Sequence, residues 1–347
     1  MVPKKRAAKK ASPNKRTHAK PAPRIYKILA LDGGSGGYLT VKLLQKIESL
    51  RPGFLNSVDI LAGTSAGAIN VGILATHPVA EDAFVSMRSH WKRMWKYEPD
   101  PVHLALGLTG RFPITSNLPM VESLRGIFGN VTLAEIKRHL VIPALRLDNA
   151  APIRTERRWG IRVFSNFLED TPEAGDLLVD VVLRSASAPI IWPAHQGYAD
   201  GGLFANNPSL LALSHAVDNL DATWPQFRVL SIGTGQKYSY INSSRGQLGY
   251  AHWLLSPAQP MALIQAVMDT NSAAITYSCS RVLQDNFFRL DPKLGESLTA
   301  QELTPAIEAK YDAVVDSADI EAVVGWLDYQ NWVTSKPVLA ADEVLAS

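Results

Sequence analysis

The stretch DILAGTSAGAINVGILA, residues 59–75, joins an apolar strand pattern to a turn made of small residues. Val58–Ala62 is typical of a strand buried on both faces, and residues 66–76 have the composition of a helix. Between them, GTSAG at 63–67 matches Gly-x-Ser-x-Gly. In this turn the serine takes a strained backbone conformation and presents its hydroxyl at the carboxyl end of the sheet. The pattern predicts that Ser65 is a nucleophile.

Gly63 and Gly67 are the elbow glycines of this motif, where a side chain would collide with the neighbouring strand or helix. Ala66 and Ala68 would let the new helix lie close to the sheet. The alternative interpretation is an ordinary Gly/Ser-rich turn in which Ser65 caps the helix. The small residues around the turn favour the nucleophile.

Strand and helix patterns alternate through most of the chain. The apolar run Ile25–Leu31 predicts another buried strand. Further strands are predicted at 140–147, 158–165 and 227–232, and helices at 81–97, 119–128, 176–187, 208–219, 258–283 and 302–328. Residues 107–119 break regular structure, and the apolar segment around 104–128 is expected to admit an apolar ligand. The alternation predicts an α/β fold with a largely parallel central sheet.

Composition and charge limit the class of protein. The chain has 347 residues, of which 46% are hydrophobic and 19% are charged, so it can bury a large core. The single cysteine, Cys279, excludes an internal disulfide framework. Residues 1–23 carry eight Lys/Arg and no acid, which predicts a solvated basic arm at 1–24 with a capacity for polyanion contact. One domain is predicted at 25–335 and a tail at 336–347.

Two sequence features bear on localisation. The basic arm lacks the apolar centre of a signal peptide. No later stretch reaches the roughly 18 uninterrupted apolar residues that a membrane span needs. We therefore expect a cytoplasmic protein that is at most peripheral to a membrane.

A nucleophilic serine needs a base, and Asp200 is the carboxylate that stands out. It lies in YADGGLFANNP, residues 198–208, and precedes Gly201 and Gly202, so its side chain is expected at a bend. Asn207 and Pro208 suit the start of the next helix. An aspartate that only bonds its own turn is the alternative. His195, five residues earlier, leaves a Ser–His–Asp arrangement open.

A glycine-rich loop, DGGSGG at 32–37, follows the first strand and opens a helix. It lacks the Walker lysine and the Rossmann spacing, so a phosphate-binding role is less favoured. Its backbone N–H groups suit an oxyanion hole, where one donor is typically worth about 10²–10³ in rate. The candidate oxyanion residues are Gly33, Gly34, Ser35 and Gly36. Residues 233–235, Gly-Thr-Gly, are expected to line the same rim.

Four segments in this order resemble the patatin-like phospholipase family. They are LALDGGSGGYLTVKLLQKIE, DILAGTSAGAINVGILA, LRSASAPIIWPAHQGYADGGLFANNPS and VLSIGTG, and the resemblance spans most of residues 25–290. It implies a three-layer α/β/α fold and hydrolysis of lipid acyl esters without metal or cofactor. It also implies a Ser65–Asp200 dyad, in which Asp200 takes the proton of Ser65 and the acyl group passes through Ser65 before water releases it.

The glycine loop departs from the family pattern. The family loop usually runs Asp-Gly-Gly-Gly-x-Arg/Lys-Gly, whereas here the loop is one residue shorter and has no basic side chain. Two alternatives therefore stay open: a binding or regulatory protein that does little chemistry, and an acyltransferase that uses the same dyad. The expected partners are a lipid or fatty-acyl ester substrate, a membrane surface in transient contact and, by family analogy, a regulatory nucleotide.

Overall fold

The computed structural model describes residues 24–95, 101–168, 171–237, 239–241, 244, 246–256, 261–294 and 304–333. Residues 1–23 of the basic arm and the tail at 336–347 lie outside this description. Within the described ranges, none of the helices combines the length and the apolar character that crossing a bilayer requires.

One sheet organises the described strands. They are β1 (Tyr26–Leu31), β2 (Ile60–Gly63), β3 (His139–Arg146), β4 (Gly160–Ser165), β5 (Tyr198–Asp200), β6 (Phe227–Ile232) and β7 (Phe287–Leu290). The order across the sheet is β4-β3-β2-β1-β6-β7, with β5 also paired to β3. The pairs along β3-β2-β1-β6-β7 are parallel, and β3 pairs antiparallel with both β4 and β5.

Helices cover both faces of the sheet. They are α1 (Gly37–Leu50), α2 (Ala66–Thr76), α3 (Ala80–Trp95), α4 (Pro101–Leu108), α5 (Leu118–Phe128), α6 (Leu178–Ser185), α7 (Gly202–Ala205), α8 (Ser209–Asn219), α9 (Tyr250–Leu254), α10 (Ala262–Leu283), α11 (Pro305–Ser317) and α12 (Ile320–Tyr329).

The central strand β1 shows why there are three layers. Leu29 and Leu31 belong to the core under α1, α2 and α6, whereas Ile28 and Ala30 belong to a second core under α8 and α10. Successive side chains of a strand point to opposite faces, so a strand that is apolar throughout needs helices on both sides. The predicted α/β fold with a mostly parallel central sheet is confirmed.

Several predicted elements differ in detail. The segment predicted as one helix at 302–328 is divided into α11 and α12, because Asp319 accepts a hydrogen bond from the Ala322 amide and starts a new helix. The irregular stretch after α4 covers only 109–117, since α4 reaches Leu108 and α5 begins at Leu118. Strands β5 and β7 have only 3 and 4 residues, too few for apolar periodicity to indicate a strand.

Candidate active site

Ser65 occupies a strained turn between β2 and α2. Its backbone has φ 53° and ψ −118°, a left-handed conformation that non-glycine residues rarely adopt. A Cβ on Gly67 would lie 2.1 Å from the Leu31 carbonyl oxygen, and one on Gly63 would lie 2.4 Å from the Gly67 carbonyl oxygen. The glycines are needed because the first turn of α2 lies directly against the ends of β1 and β2. The structure therefore has the elbow geometry that the motif predicts.

The sheet register brings Asp200 to Ser65. Strand β4 pairs with one edge of β3 along Val141–Arg146. Because that edge is filled, β5 pairs with the opposite edge of β3, the edge that also pairs with β2. There β2 pairs only as far as Val141, and β5 pairs from Ala144 onward, with Asp200 opposite Ala144. Because β5 runs antiparallel to β3, its last residue faces the end of β2. This arrangement places a carboxylate beside a hydroxyl 135 positions away in the chain.

The contact between the two side chains is direct. Ser65 Oγ donates a hydrogen bond of 2.6 Å to Asp200 Oδ2, and the Gly202 amide donates one of 2.7 Å to Asp200 Oδ1. Gly201 is needed at the bend because a Cβ there would lie 2.2 Å from the Pro143 carbonyl oxygen. One carboxylate oxygen of Asp200 therefore accepts a backbone hydrogen bond, and the other accepts the hydrogen bond from the Ser65 hydroxyl.

Burial changes the acidity of this carboxylate. Asp200 is 4% exposed. Loss of solvation raises the pKa of Asp200 to about 6, although hydrogen bonds from Ser65 and Gly202 lower it. A carboxylate with a raised pKa is a stronger base than an exposed one, and it is still ionised near neutral pH. Asp200 can therefore accept the Ser65 proton.

The glycine loop contributes donors at only some of the expected positions. The backbone N–H groups of Gly34 and Ser35 donate to no described residue, and both residues border the cavity that contains Ser65. The Gly33 amide instead donates a hydrogen bond of 3.1 Å to the Asn206 carbonyl, so this predicted oxyanion donor is already used. The Gly36 backbone lies against the Thr234 carbonyl and away from that cavity. The Gly33 amide is thus not available to an oxyanion, which corrects its predicted role, whereas the donor role of Gly36 stays a prediction.

Two groups near Ser65 were not singled out from the sequence. The Ala66 amide starts α2, donates to no described residue and borders the same cavity, as expected for the residue that follows an elbow nucleophile. Ser185 Oγ accepts a hydrogen bond of 3.0 Å from the Ser65 amide and so holds the strained turn. The Gly-x-Ser-x-Gly motif contains a signal for Ala66, whereas nothing local in the sequence indicates Ser185.

The cavity beside Ser65 has a volume of about 500 Å³. Its lining is mostly apolar and comes from α2, α3, α5, α10 and the loop at 188–192, with Ile69, Met94, Met120, Ile191 and Ile264 as examples. Such a cavity is large enough for a small ligand or an apolar chain. Thr115 and Met120 belong to the segment around 104–128, which the sequence analysis associated with an apolar ligand.

Neither His195 nor His90 is hydrogen-bonded to the Ser65 hydroxyl. His195 Nε2 lies 2.8 Å from Asp180 Oδ1, and His195 does not border the Ser65 cavity. His90 does border it, but its Nδ1 pairs with Ser123 Oγ at 2.9 Å, and burial lowers the pKa of His90 to about 3. Within the described residues, Asp200 is therefore the base in hydrogen-bond contact with Ser65.

The segment at 233–235 contacts the glycine loop. Thr234 Oγ1 donates a hydrogen bond of 3.1 Å to the Gly33 carbonyl. Thr234 and Gly235 border a second cavity, of about 950 Å³, which shares Gly34 and Ser35 with the Ser65 cavity but does not contain Ser65. The expectation that this segment lines the Ser65 rim is therefore corrected.

A buried ion-pair network holds the first residue of the glycine loop. Arg289 on β7 donates two hydrogen bonds to the Asp32 carboxylate, at 2.8 and 2.7 Å, and one of 2.8 Å to Asp291. Asp32 and Arg289 are separated by 257 positions.

The described residues contain no group of three or more His, Cys, Asp or Glu side chains that could hold a metal ion.

The chain is similar to several known proteins. The chain is 27% identical over 310 residues to the protein teg of Priestia megaterium, covering 81% of this chain and 92% of that one. It is 27% identical over 329 residues to a protein named cGAMP-activated phospholipase from Vibrio cholerae, covering 86% of this chain and 87% of that one. The crystal structure of VipD from Legionella pneumophila aligns with 14% identity and a TM-score of 0.42, covering 85% of this chain and 67% of that one.

A model of the family described as patatin-like phospholipase matches residues 29–213, more than half of the chain. This match includes the glycine loop, the elbow at Ser65 and the bend at Asp200. The protein therefore belongs to the patatin-like phospholipase family of lipid-hydrolysing enzymes.

Proposed function

We propose that the protein hydrolyses fatty-acyl esters, phospholipids among them, through an acyl-enzyme on Ser65 with Asp200 as the base. The observation that carries the proposal is the 2.6 Å hydrogen bond from Ser65 Oγ to Asp200 Oδ2 beside an apolar cavity. A weak hydroxyl nucleophile needs a base in contact with it, and an apolar chain needs a water-poor cavity next to the reacting carbonyl.

The proposed reaction begins with attack of Ser65 Oγ on the acyl carbonyl carbon while Asp200 takes the hydroxyl proton. The carbonyl oxygen becomes negative, and the amides of Gly34, Ser35 and Ala66 donate to it. The C–O bond to the leaving alcohol then breaks, and Asp200 returns the proton to that oxygen. Water attacks the acyl-serine with Asp200 again as base, which releases the fatty acid and restores Ser65.

The proposed reaction does not require a basic side chain in the glycine loop. In the described structure, the donors near Ser65 belong to the backbone and to the N-terminus of α2, whose dipole also favours negative charge. Backbone donors do not need a nearby arginine or lysine to stabilise an oxyanion. We therefore favour the active hydrolase over the binding protein.

The test is covalent labelling combined with product analysis. A fluorophosphonate probe is expected to label the peptide that contains Ser65 and to abolish hydrolysis in proportion to labelling. Peptides containing Ser35 and Ser185 are the internal controls and should stay unlabelled. Intact protein that turns over no ester and takes up no probe would favour the binding or regulatory alternative.

The same assay defines the substrate and the acceptor. Wild-type protein is incubated with a panel of phospholipids, lysophospholipids and soluble esters, with and without an added acceptor alcohol. Free fatty acid is the product expected from a hydrolase, whereas transfer to the alcohol in preference to water would identify an acyltransferase. Each reaction is repeated with cGAMP, because of the name of the Vibrio cholerae relative.

The pH dependence of hydrolysis follows from the state of Asp200. The base must be ionised, and burial raises the pKa of Asp200 to about 6. We expect kcat/KM for a soluble ester to be constant above about pH 6 and to fall about tenfold per pH unit below it. An acid limb centred near the ordinary aspartate pKa, about 4, would contradict a buried carboxylate base.

A further inference from the structure

Apolar side chains are exposed on chain segments that neighbour residues lining the Ser65 cavity. We call these five residues the apolar rim: Leu104 and Leu106 on α4, Phe112, Leu118 at the start of α5, and Ile190. The exposed fraction reaches 63% at Leu118 and 52% at Phe112. Clustered exposure of this kind marks a contact surface more often than it marks an ordinary protein surface.

The members of the rim are connected to one another by backbone contacts. A Cβ on Gly107 would lie 2.9 Å from the Ile114 Cα, so the end of α4 packs on the segment that follows it. That segment in turn donates hydrogen bonds from Ile114 to the Ile190 carbonyl, at 2.9 Å, and from Thr115 to the Ile191 carbonyl, at 3.0 Å. The end of α4, the segment that follows it and the segment of Ile190 are therefore held together.

The rim borders the cavity that contains Ser65. Thr115, Pro189 and Ile191 line that cavity, and each lies within three positions of a rim residue. Ile190 is 47% exposed between two lining residues. Apolar surface is therefore exposed directly beside the lining of the cavity.

The charge of the rim favours one class of partner. Helix α4, PVHLALGL, has no Asp, Glu, Lys or Arg, although a helix exposed to water normally has a polar outer face. Residues 101–118 contain no acid and one arginine, Arg111. Apolar residues beside a cation suit the interface of an anionic bilayer, although Glu98 and Asp100 directly precede this stretch in the sequence.

We propose that the apolar rim is the surface by which this protein binds a lipid bilayer. Acyl chains then pass from the bilayer into the cavity without crossing water. A second copy of the chain seated on the rim would cover the mouth of the cavity, so a bilayer, which also contains the substrate, fits better. The benefit to catalysis rests on the proposed function, whereas binding to the bilayer does not.

The test compares two double variants of the full-length protein. The rim variant is Leu104→Ser with Phe112→Ser, and neither residue lines the Ser65 cavity. The matched control is Trp159→Ser with Ile161→Ser, which removes apolar side chains that are 76% and 61% exposed at β4 and its approach. Folding of both is checked by circular dichroism and thermal unfolding.

Cosedimentation with vesicles of phosphatidylglycerol and phosphatidylethanolamine measures binding, and light scattering measures oligomeric state. We expect the rim variant to lose at least about tenfold in vesicle affinity and in vesicle hydrolysis, with hydrolysis of a soluble butyrate ester unchanged. The control should bind like the wild type. A rim variant that binds vesicles like the wild type, or that only converts a dimer to a monomer, would overturn the proposal.

Failure of the two proposals can be told apart. If the wild type binds vesicles through the rim but hydrolyses no ester, the proposed function fails and the docking surface stands. If the soluble ester is hydrolysed and vesicle binding does not depend on the rim, the opposite holds.

Discussion

Ser65→Ala and Asp200→Asn are each expected to lower kcat/KM for a soluble ester by at least about 10³-fold, or about 4 kcal/mol of transition-state stabilisation. Alanine removes the nucleophile. Asparagine keeps the shape of the side chain and can still accept the Gly202 hydrogen bond, but it cannot take the Ser65 proton. Initial rates with a chromogenic butyrate ester measure both effects.

The double variant Ser65→Ala with Asp200→Asn tests whether the two residues act as one catalytic unit or contribute to the rate independently. Residues that act as one unit lose most of the rate with the first substitution, so the double variant should be about as slow as the slower single variant. Asp180→Asn is the matched control, because Asp180 is a partly buried carboxylate that contacts His195 and not Ser65. Activity close to wild type in Asp200→Asn, with a loss in Asp180→Asn, would instead support a Ser–His–Asp arrangement.

Arg289→Met is expected to lower the free energy of unfolding by about 3–5 kcal/mol, the usual cost of removing one partner from a buried ion pair. Asp32 is 3% exposed and would remain beside Asp291 without the guanidinium between them. Burial already raises the pKa of Asp32 to about 6 in the presence of Arg289. Urea unfolding at pH 7 measures the loss.

Two comparisons make this prediction specific to the charge. Arg289→Lys keeps a cation but cannot make both hydrogen bonds to Asp32, so its loss should be smaller. In Arg289→Met the unpaired Asp32 can be neutralised by a proton, so the difference from wild type should shrink as the pH falls from 8 to 5. A loss that is equal at both pH values would indicate a packing defect. Because Asp32 begins the glycine loop, Arg289→Met should also reduce ester hydrolysis.

The prediction from sequence succeeded where the signal was local. Strand β1 and the elbow at 63–67 could each be predicted from a few consecutive residues, because apolar periodicity and glycine spacing depend only on neighbours in the chain. The same reasoning located Asp200 only as an aspartate at a bend. A carboxylate on a turn looks alike in sequence whether it bonds its own backbone or a distant hydroxyl.

Which amides of the glycine loop are free to act as donors could not be predicted from the loop sequence. Gly33, Gly34, Ser35 and Gly36 are equivalent in sequence as backbone donors. In the structure the Gly33 amide donates to the Asn206 carbonyl and Thr234 lies against Gly36, whereas Gly34 and Ser35 border the cavity that contains Ser65. Both neighbours come from parts of the chain more than a hundred positions away.

The amino-acid order was sufficient for the α/β class and for the elbow that contains Ser65, because each depends on interactions within one strand, turn or helix. The tertiary structure had to be known before the Ser65–Asp200 contact, the Arg289–Asp32 pair and the apolar rim could be recognised. The physical reason is that polar pairing and surface exposure depend on which distant segments become neighbours. In this protein β4 fills one edge of β3 and leaves β5 the other, which places Asp200 at the end of β2.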